Sequence, residues 1–206
     1  MKYFIKTPQW LKWCFPKLIW DIPTTDKVIY LTFDDGPIPE VTPWVLEQLQ
    51  QYQAKATFFV VGDNVRKHPA IFQRLSADGH RVGNHTFHHV NGKHTDVETY
   101  LEDVSACAEL VETALFRPPY GRTTAQQRKA LLADYQIIMW DVLSADFDPA
   151  LDPEQCSKHT IEKTRSGSIV LFHDSIKAWP RLQVALPRFL EHFSGLEYRF
   201  EVIPNA

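Results

Sequence analysis

Short apolar runs alternate with stretches of helical periodicity along nearly the whole chain, the pattern of a mainly parallel sheet with crossover helices. The apolar runs predict strands at 28–32, 57–61, 81–83, 115–117, 137–140, 168–172 and 199–203. Seven strands suit a closed or nearly closed barrel of the α/β class. Between them, Thr42 is placed as a helix N-cap with Pro43 at the first helical position, opening a helix to 53. A second helix is expected at 70–78, with Gly79 as its left-handed terminator. Asp96 caps a longer helix, whose Val97, Leu101, Val104, Ala108 and Val111 form one apolar stripe. Helices at 124–133, 153–164 and 181–193 complete the set, the last stopping near Gly195. The stripes face the core and carry no chemistry.

In parallel barrels the active site sits on the loops after the strand C-termini. After the first predicted strand come Asp34 and Asp35; after the third, the run Asn84 to His89; after the fourth, Arg117 to Gly121. Asp141 to Asp146 follow the fifth strand, and His173-Asp174 the sixth. The polar clusters therefore collect on one rim.

Length and charge narrow the class. A chain of 206 residues with a net charge of −3 and mixed signs suits one large domain and lacks the basic surface of a nucleic-acid binder. Cys14, Cys107 and Cys156 form neither a Cys-x-x-Cys pair nor a disulfide framework, and read as thiols of a reducing compartment. Residues 1–26 stand apart from a domain at 27–206. The opening stretch is rich in Trp, Phe, Leu and Ile, but Lys2, Lys6, Lys12 and Lys17 interrupt it, Pro8 and Pro16 break it, and no cleavage site follows. It is therefore expected to pack on the barrel, with a cytoplasmic location, no transmembrane segment and peripheral membrane contact through Trp10, Trp13 and Trp20 as the alternative. Nothing in the pattern fixes an oligomeric state.

The candidate chemistry starts at Asp34-Asp35. Successive strand side chains point to opposite faces, so both carboxylates reach one site only where the strand yields to a turn, which Gly36-Pro37 supplies. One carboxylate can then hold a cation while the other handles a proton, although Asp-Asp-Gly is also ordinary turn chemistry. His85 and His89 are four apart and face the same way on a helical turn, a common arrangement for a divalent cation. With one carboxylate of the pair they make a His-His-Asp set that leaves positions open for water and substrate. Such a set suits zinc, and also cobalt, nickel or iron. Arg117, stiffened by the prolines that follow, can hold a carboxylate ionised through a bidentate contact. His173 leaves an apolar strand where a general acid would stand, and Asp146 can pair with it and raise its pKa; Asp141, Asp148 and Asp174 compete for that place.

Taken in order, Thr32-Phe33-Asp34-Asp35-Gly36-Pro37, His85-Thr86-x-x-His89, Arg117-x-Pro119-x-Gly121, Asp146 after a Trp-containing strand, and Leu171-x-His173 resemble the motifs of the polysaccharide deacetylases. These are the NodB-homology domains of carbohydrate esterase family four, and the resemblance runs from about Lys27 to the C-terminus. It implies a distorted (β/α) barrel and metal-dependent removal of N-acetyl groups from amino sugars of the peptidoglycan or chitin kind. By motif, it implies Asp35, His85 and His89 as ligands of one divalent metal ion, Asp34 as general base and Arg117 as the residue that orients it. His173 corresponds to the general acid, Asp146 to its partner and the Tyr120 amide to an oxyanion donor. Relatives commonly carry Trp where Phe147 stands and a polar residue where Leu143 stands, so the sugar groove departs from the pattern. Amide cleavage on a small or lipid-linked substrate, deformylation included, and a noncatalytic carbohydrate-binding module are the competing readings.

Overall fold

The computed structural model describes residues 3–204. Met1 and Lys2 of the predicted N-terminal segment and Asn205 and Ala206 of the predicted domain lie outside the described residues. The centre of the molecule is β1 (Val28–Asp34), buried at all seven positions. Its neighbours are β2 (Ala56–Val60) and β7 (Ile169–His173), both parallel to it. Beyond β2 follow β3 (Arg81–Asn84), β4 (Leu115–Phe116) and β5 (Gln136–Ile137); beyond β7 lies β6 (Val142–Leu143). This parallel path of seven strands curls into a half-barrel within one α/β domain. A short β8 (Arg199–Phe200) pairs in parallel with Val28 and Ile29 at the foot of β1. Strands buried on both faces are near-continuous apolar runs, which is why they were legible as such.

The helices are α1 (Gln9–Cys14), α2 (Thr42–Gln51), α3 (Gly62–Lys67), α4 (Pro69–Ala77), α5 (Val97–Ala108), α6 (Ala125–Leu131), α7 (Pro153–Lys163) and α8 (Trp179–Gly195). Asp96 caps α5 by accepting from the Thr99 amide, and Thr124 closes a capping box with Gln127 at the start of α6. Gly79 takes φ 77° after α4, so the chain turns back and the His80 amide reaches the Leu75 carbonyl. The main core joins β1, β2 and β7 to α8, with Phe33 stacked on Phe58 at 5.0 Å between ring centroids. None of the described helices is long and apolar enough to cross a membrane.

Three expectations change. Thr42 is inside α2, not its cap: its hydroxyl accepts from the Ile38 amide and donates to Asp174, while Val41 takes the cap position. The single strand expected at 137–140 divides into β5 and β6, because the chain leaves one edge of the sheet at Ile137 and joins the other at Val142. The short helices α1 and α3 were not anticipated.

The two free edges that this division creates are joined by the N-terminal segment. Ile19 donates to the Ile137 carbonyl (3.0 Å) and accepts from Met139 (2.7 Å) on one side. On the other, Thr7 donates to Asp141 (2.8 Å) and Ile5 accepts from Leu143 (2.8 Å). Unpaired strand edges need such partners when they are covered. Asp141, fully buried, fastens the segment: Lys6, Lys12 and the Ser168 hydroxyl all donate to it. Burial pushes that carboxyl up, but the Lys12 and Lys6 ammoniums and the Ser168 hydroxyl outweigh burial and hold its pKa below the ordinary carboxylate value. Trp20 is buried against β5, whereas Trp10 and Trp13 on α1 stay exposed.

His80 is the acid-sensitive point of this frame. Its Nδ1 accepts from the Ala56 amide (3.2 Å), and burial, with Lys55 nearby, draws its pKa from 6.5 down to about 4. The ring is neutral in the fold and takes a proton more readily when unfolded, so its contribution is full above pH 6.5 and is lost as the pH falls toward 4. In urea unfolding at a series of pH values, His80→Asn is expected to remove up to about 1.4 kcal/mol per pH unit of the acid slope in that window. An unchanged slope would exclude His80 as its source.

Candidate active site

Thr32 and Asp34 are two apart on β1 and share a face, which they present to one guanidinium. Arg117, at the C-terminal end of β4, is fully buried. Its Nη1 donates to Asp34 Oδ1 at 2.7 Å and to Thr32 Oγ1 at 2.8 Å, its Nε to the Ile138 carbonyl at 3.1 Å, and its Nη2 to the Met139 carbonyl at 2.9 Å. The contact with Asp34 is therefore single and not bidentate, because the other donors are taken by β1 and by the segment after β5. The Phe59 ring lies 4.1 Å from the guanidinium carbon. Asp34 Oδ2 is left facing His85 Nε2 at 3.7 Å.

At Asp35 the backbone turns to φ 87°, which swings this second carboxylate to the same side as the first. The turn is held from behind by Asp174. Its Oδ1 accepts from the Gly36 amide at 3.0 Å and its Oδ2 from the Thr42 hydroxyl at 2.6 Å. A Cβ on Gly36 would run into that carboxylate, so only glycine fits there. Burial, with Asp35 nearby, pushes the Asp174 pKa up to about 8. Asp174 is thus a brace for the turn and does not pair with His173.

His85 and His89 do not lie on a helix. Thr86 and His89 adopt φ 64° and 56°, left-handed values that fold the segment after β3 into a compact loop. Asp103 of α5 fixes the middle of that loop, accepting from the Phe87 and His88 amides at 2.8 and 2.9 Å and meeting the His88 ring at 2.6 Å. Asn84 fixes its start by accepting from the Thr86 amide at 2.8 Å. His85 Nδ1 is 2.7 Å from the Arg117 carbonyl, which can only accept, so Nδ1 carries the proton and the lone pair lies on Nε2. Burial brings the His85 pKa down to about 4, keeping the ring neutral near pH 7.

Asp35 Oδ1 lies 3.3 Å from His89 Nε2 and 3.9 Å from His85 Nε2, and all three ligand atoms fall within 4.8 Å of one another. Two imidazole nitrogens and one carboxylate oxygen fit a divalent cation with open positions. Burial tends to raise the Asp35 pKa, but the bond from His89 and the charge of His173 lead the effects that outweigh it and hold the carboxyl well below its usual range.

Across the pocket, His173 ends β7 with its amide donating to Asp146 Oδ2 (2.8 Å) and its Nδ1 2.7 Å from Asp146 Oδ1. Burial works against protonation of this ring, but the Asp146 charge and hydrogen bond, helped by Asp35, carry its pKa up to about 9. Asp141 and Asp148, the other competitors, are occupied elsewhere, Asp148 by the Tyr3 hydroxyl at 2.7 Å. Phe147 meets the His173 ring edge-on at 5.3 Å, and Tyr120, at φ 59°, lays its exposed ring 4.7 Å from His89. Asp34, Asp35, His85, His89, Tyr120, Phe147 and His173 line one cavity of about 470 Å³, with Arg117 and Asp146 behind its wall.

Sequence reasoning missed Thr32, Asp103, Tyr3 and Trp140. Thr32 was within reach, being two positions before Asp34 on the same strand face. Tyr3 was not, since it enters the wall only through the N-terminal segment. Arg117→Ala would leave Asp34 buried without its cation and is expected to lower unfolding stability by about 3–5 kcal/mol in chemical denaturation. A loss below about 1 kcal/mol would mean that the guanidinium is not the buried partner of Asp34.

A polysaccharide deacetylase family model matches residues 21–137. The chain is 34% identical over 192 residues to a peptidoglycan-N-acetylglucosamine deacetylase of Bacillus cereus, covering 89% of this chain and 90% of the relative. It is 36% identical over 154 residues to a chitooligosaccharide deacetylase of Azorhizobium caulinodans, covering 71% and 73%. Among solved structures, a peptidoglycan N-acetylglucosamine deacetylase in complex with a naphthalenyl N-oxidanyl-benzamide superposes with a TM-score of 0.87 at 28% identity, over 96% of this chain and 95% of that one. A mutant of a CE4 family pseudoenzyme with restored enzymatic activity is also similar, with a TM-score of 0.75 at 26% identity over 90% and 69% of the two chains.

Proposed function

The chain belongs to the polysaccharide deacetylase family and is a hydrolase of that type, and from this premise we propose that it removes N-acetyl groups from amino-sugar oligomers or polysaccharides of the peptidoglycan or chitin class. The observation that carries the reading is the convergence of Asp35, His85 and His89 beside the free oxygen of Asp34, with His173 on the same cavity. The fold alone would not suffice, since a relative described as a pseudoenzyme has it too.

In this proposal Asp35, His85 and His89 hold one divalent cation, zinc by preference for its nitrogen and oxygen donors, with cobalt, nickel or iron also suited. The cation supplies Lewis acidity, which polarises the amide carbonyl and makes water acidic near neutral pH. Asp34 accepts the proton of the attacking water on Oδ2, while Arg117 pins Oδ1 and fixes the direction of the carboxylate. The Tyr120 amide stabilises the negative charge that develops on the acetyl oxygen. His173 donates a proton from Nε2 to the departing amine, its Nδ1 being committed to Asp146. Phe147 gives the sugar an aromatic wall beside the acid.

The test is to strip the protein of metal, reload it with zinc or cobalt, and follow acetate and free amine from N-acetylglucosamine oligomers. Both products are expected only with metal, and Asp34→Asn should lower their release by about 10²–10⁴-fold. Release without metal, or from the Asn variant at the original rate, would reject the mechanism.

The pH profile gives a second check. His173 must be protonated to act, so activity should fall as the pH rises toward its pKa of about 9, and below that value once a cation offsets the Asp35 charge. Asp146→Asn removes the main support of that pKa, so the alkaline limb should move toward the ordinary value of 6.5. A limb that stays in place would assign it to another group.

A further inference from the structure

A second cavity, of about 350 Å³, lies between the N-terminal segment and the turn Pro118 to Arg122. Leu11, Phe15, Leu18 and Trp20 form one side, and Met139 and Trp140 the other. It adjoins the catalytic cavity, and Tyr3, Tyr120, Gly121, Arg122, Trp140 and Leu143 line both. The wall is fixed in place: the Tyr3 hydroxyl is bonded to Asp148, and its ring packs on Phe147 at 5.7 Å.

The charges in this lining have one sign. Lys93, Arg122 and Arg128 line the cavity and no aspartate or glutamate does, although the chain as a whole carries −3. Arg128 lies over the Phe15 ring at 5.0 Å and spends only Nη1, on the Thr123 carbonyl and hydroxyl. Among the described residues, neither Arg122 nor Lys93 pairs with a carboxylate. Lys93 and Arg122 are exposed, so an anion at this rim would meet their donors unspent.

Uncharged hydrogen-bonding groups are few. The Thr7 hydroxyl is already given to the Trp140 carbonyl at 2.7 Å, and that of Thr123 meets Arg128. The unspent donors are mainly the cations, which suit an anion, and the apolar walls of Leu11, Phe15, Leu18 and Met139 offer the polar groups of further sugars or a peptide no partner, at a cost for each unpaired group. A hydrocarbon chain brings none.

We infer that this cavity receives the apolar tail of a substrate whose N-acetylated sugar is joined through phosphate to a hydrocarbon chain. The phosphate lies at Arg122, which borders both cavities, with Lys93 and Arg128 as further cations and the tail between α1 and Trp140. The inference rests on the deacetylase reading for the sugar end only.

Binding and turnover test it separately on the full zinc-loaded chain. Decyl phosphate below its micelle concentration is titrated by calorimetry and tryptophan fluorescence, beside decyl maltoside as the neutral amphiphile. Decyl phosphate should bind at least about tenfold tighter than the maltoside, and the exposed change Arg122→Glu should weaken it by about tenfold or more. Equal binding of the two amphiphiles, or binding indifferent to Arg122→Glu, overturns the inference. For turnover, N-acetylglucosamine joined to decyl phosphate is compared with the N-acetylglucosamine tetramer and with a peptide-bearing muropeptide. The decyl conjugate should give the highest kcat/KM, and Leu11→Trp, which fills the cavity, should lower its ratio to the tetramer by about tenfold. Preference for the muropeptide, or a ratio that Leu11→Trp leaves unchanged, also overturns it. Arg122-dependent binding of decyl phosphate without acetate release from any sugar would uphold the cavity's ligand and reject the deacetylase reading.

Discussion

The buried guanidinium of Arg117 joins the parts on which the site is built. It binds Thr32 and Asp34 of β1 and the carbonyls of Ile138 and Met139, while its own carbonyl orients His85. An arginine can do this because its donors form a planar fork that is rigid and always charged. Removing the cation would not simply free Asp34. It would leave a buried carboxylate uncompensated, while the backbone carbonyl that orients His85 would remain.

Around this centre, similar carboxylates take different parts because their partners differ. Asp34 is pinned by a cation, Asp35 is surrounded by histidines, and Asp146 supports an imidazolium. Asp174, fully buried against an amide and a hydroxyl, is pushed up to about 8 and braces the turn that carries Asp35. Asp141 is buried too, but lysines from the N-terminal segment keep it charged. The distribution follows the balance of desolvation against opposite charge at each position.

The N-terminal segment is more than a cover. Its backbone satisfies both edges left where β5 and β6 diverge, and its side chains add a wall to the catalytic cavity and one side of a second one. The half-barrel therefore gains from outside its own strands the surface that extends the site. That surface is apolar and faces Lys93, Arg122 and Arg128 of the domain, whereas the metal-ligand set is acidic and imidazole-rich, so the two cavities ask for different parts of one molecule.

The sequence by itself determined the strand order of chemistry along one rim. The apolar runs at 28–32, 57–61 and 168–172 are continuous because the strands they form are buried on both faces, and Asp34 and His173 end their strands while His85 and Arg117 follow theirs at once. Local signals also set the caps at Asp96 and Thr124 and the stop at Gly79, since capping depends on neighbours a few residues away. Tertiary structure decided what depends on distant partners. Spacing left Asp141, Asp148 and Asp174 beside Asp146 as partners for His173, the motif resemblance named Asp146, and the fold makes that contact; it also turned Thr42 from a helix cap into a brace for Asp174. Only the fold brought His85 and His89 together through left-handed loop residues held by Asp103 instead of a helical turn. Spacing along a chain can nominate side chains, but which of them meet is fixed by hydrogen bonds between segments more than a hundred residues apart, such as Thr42 to Asp174.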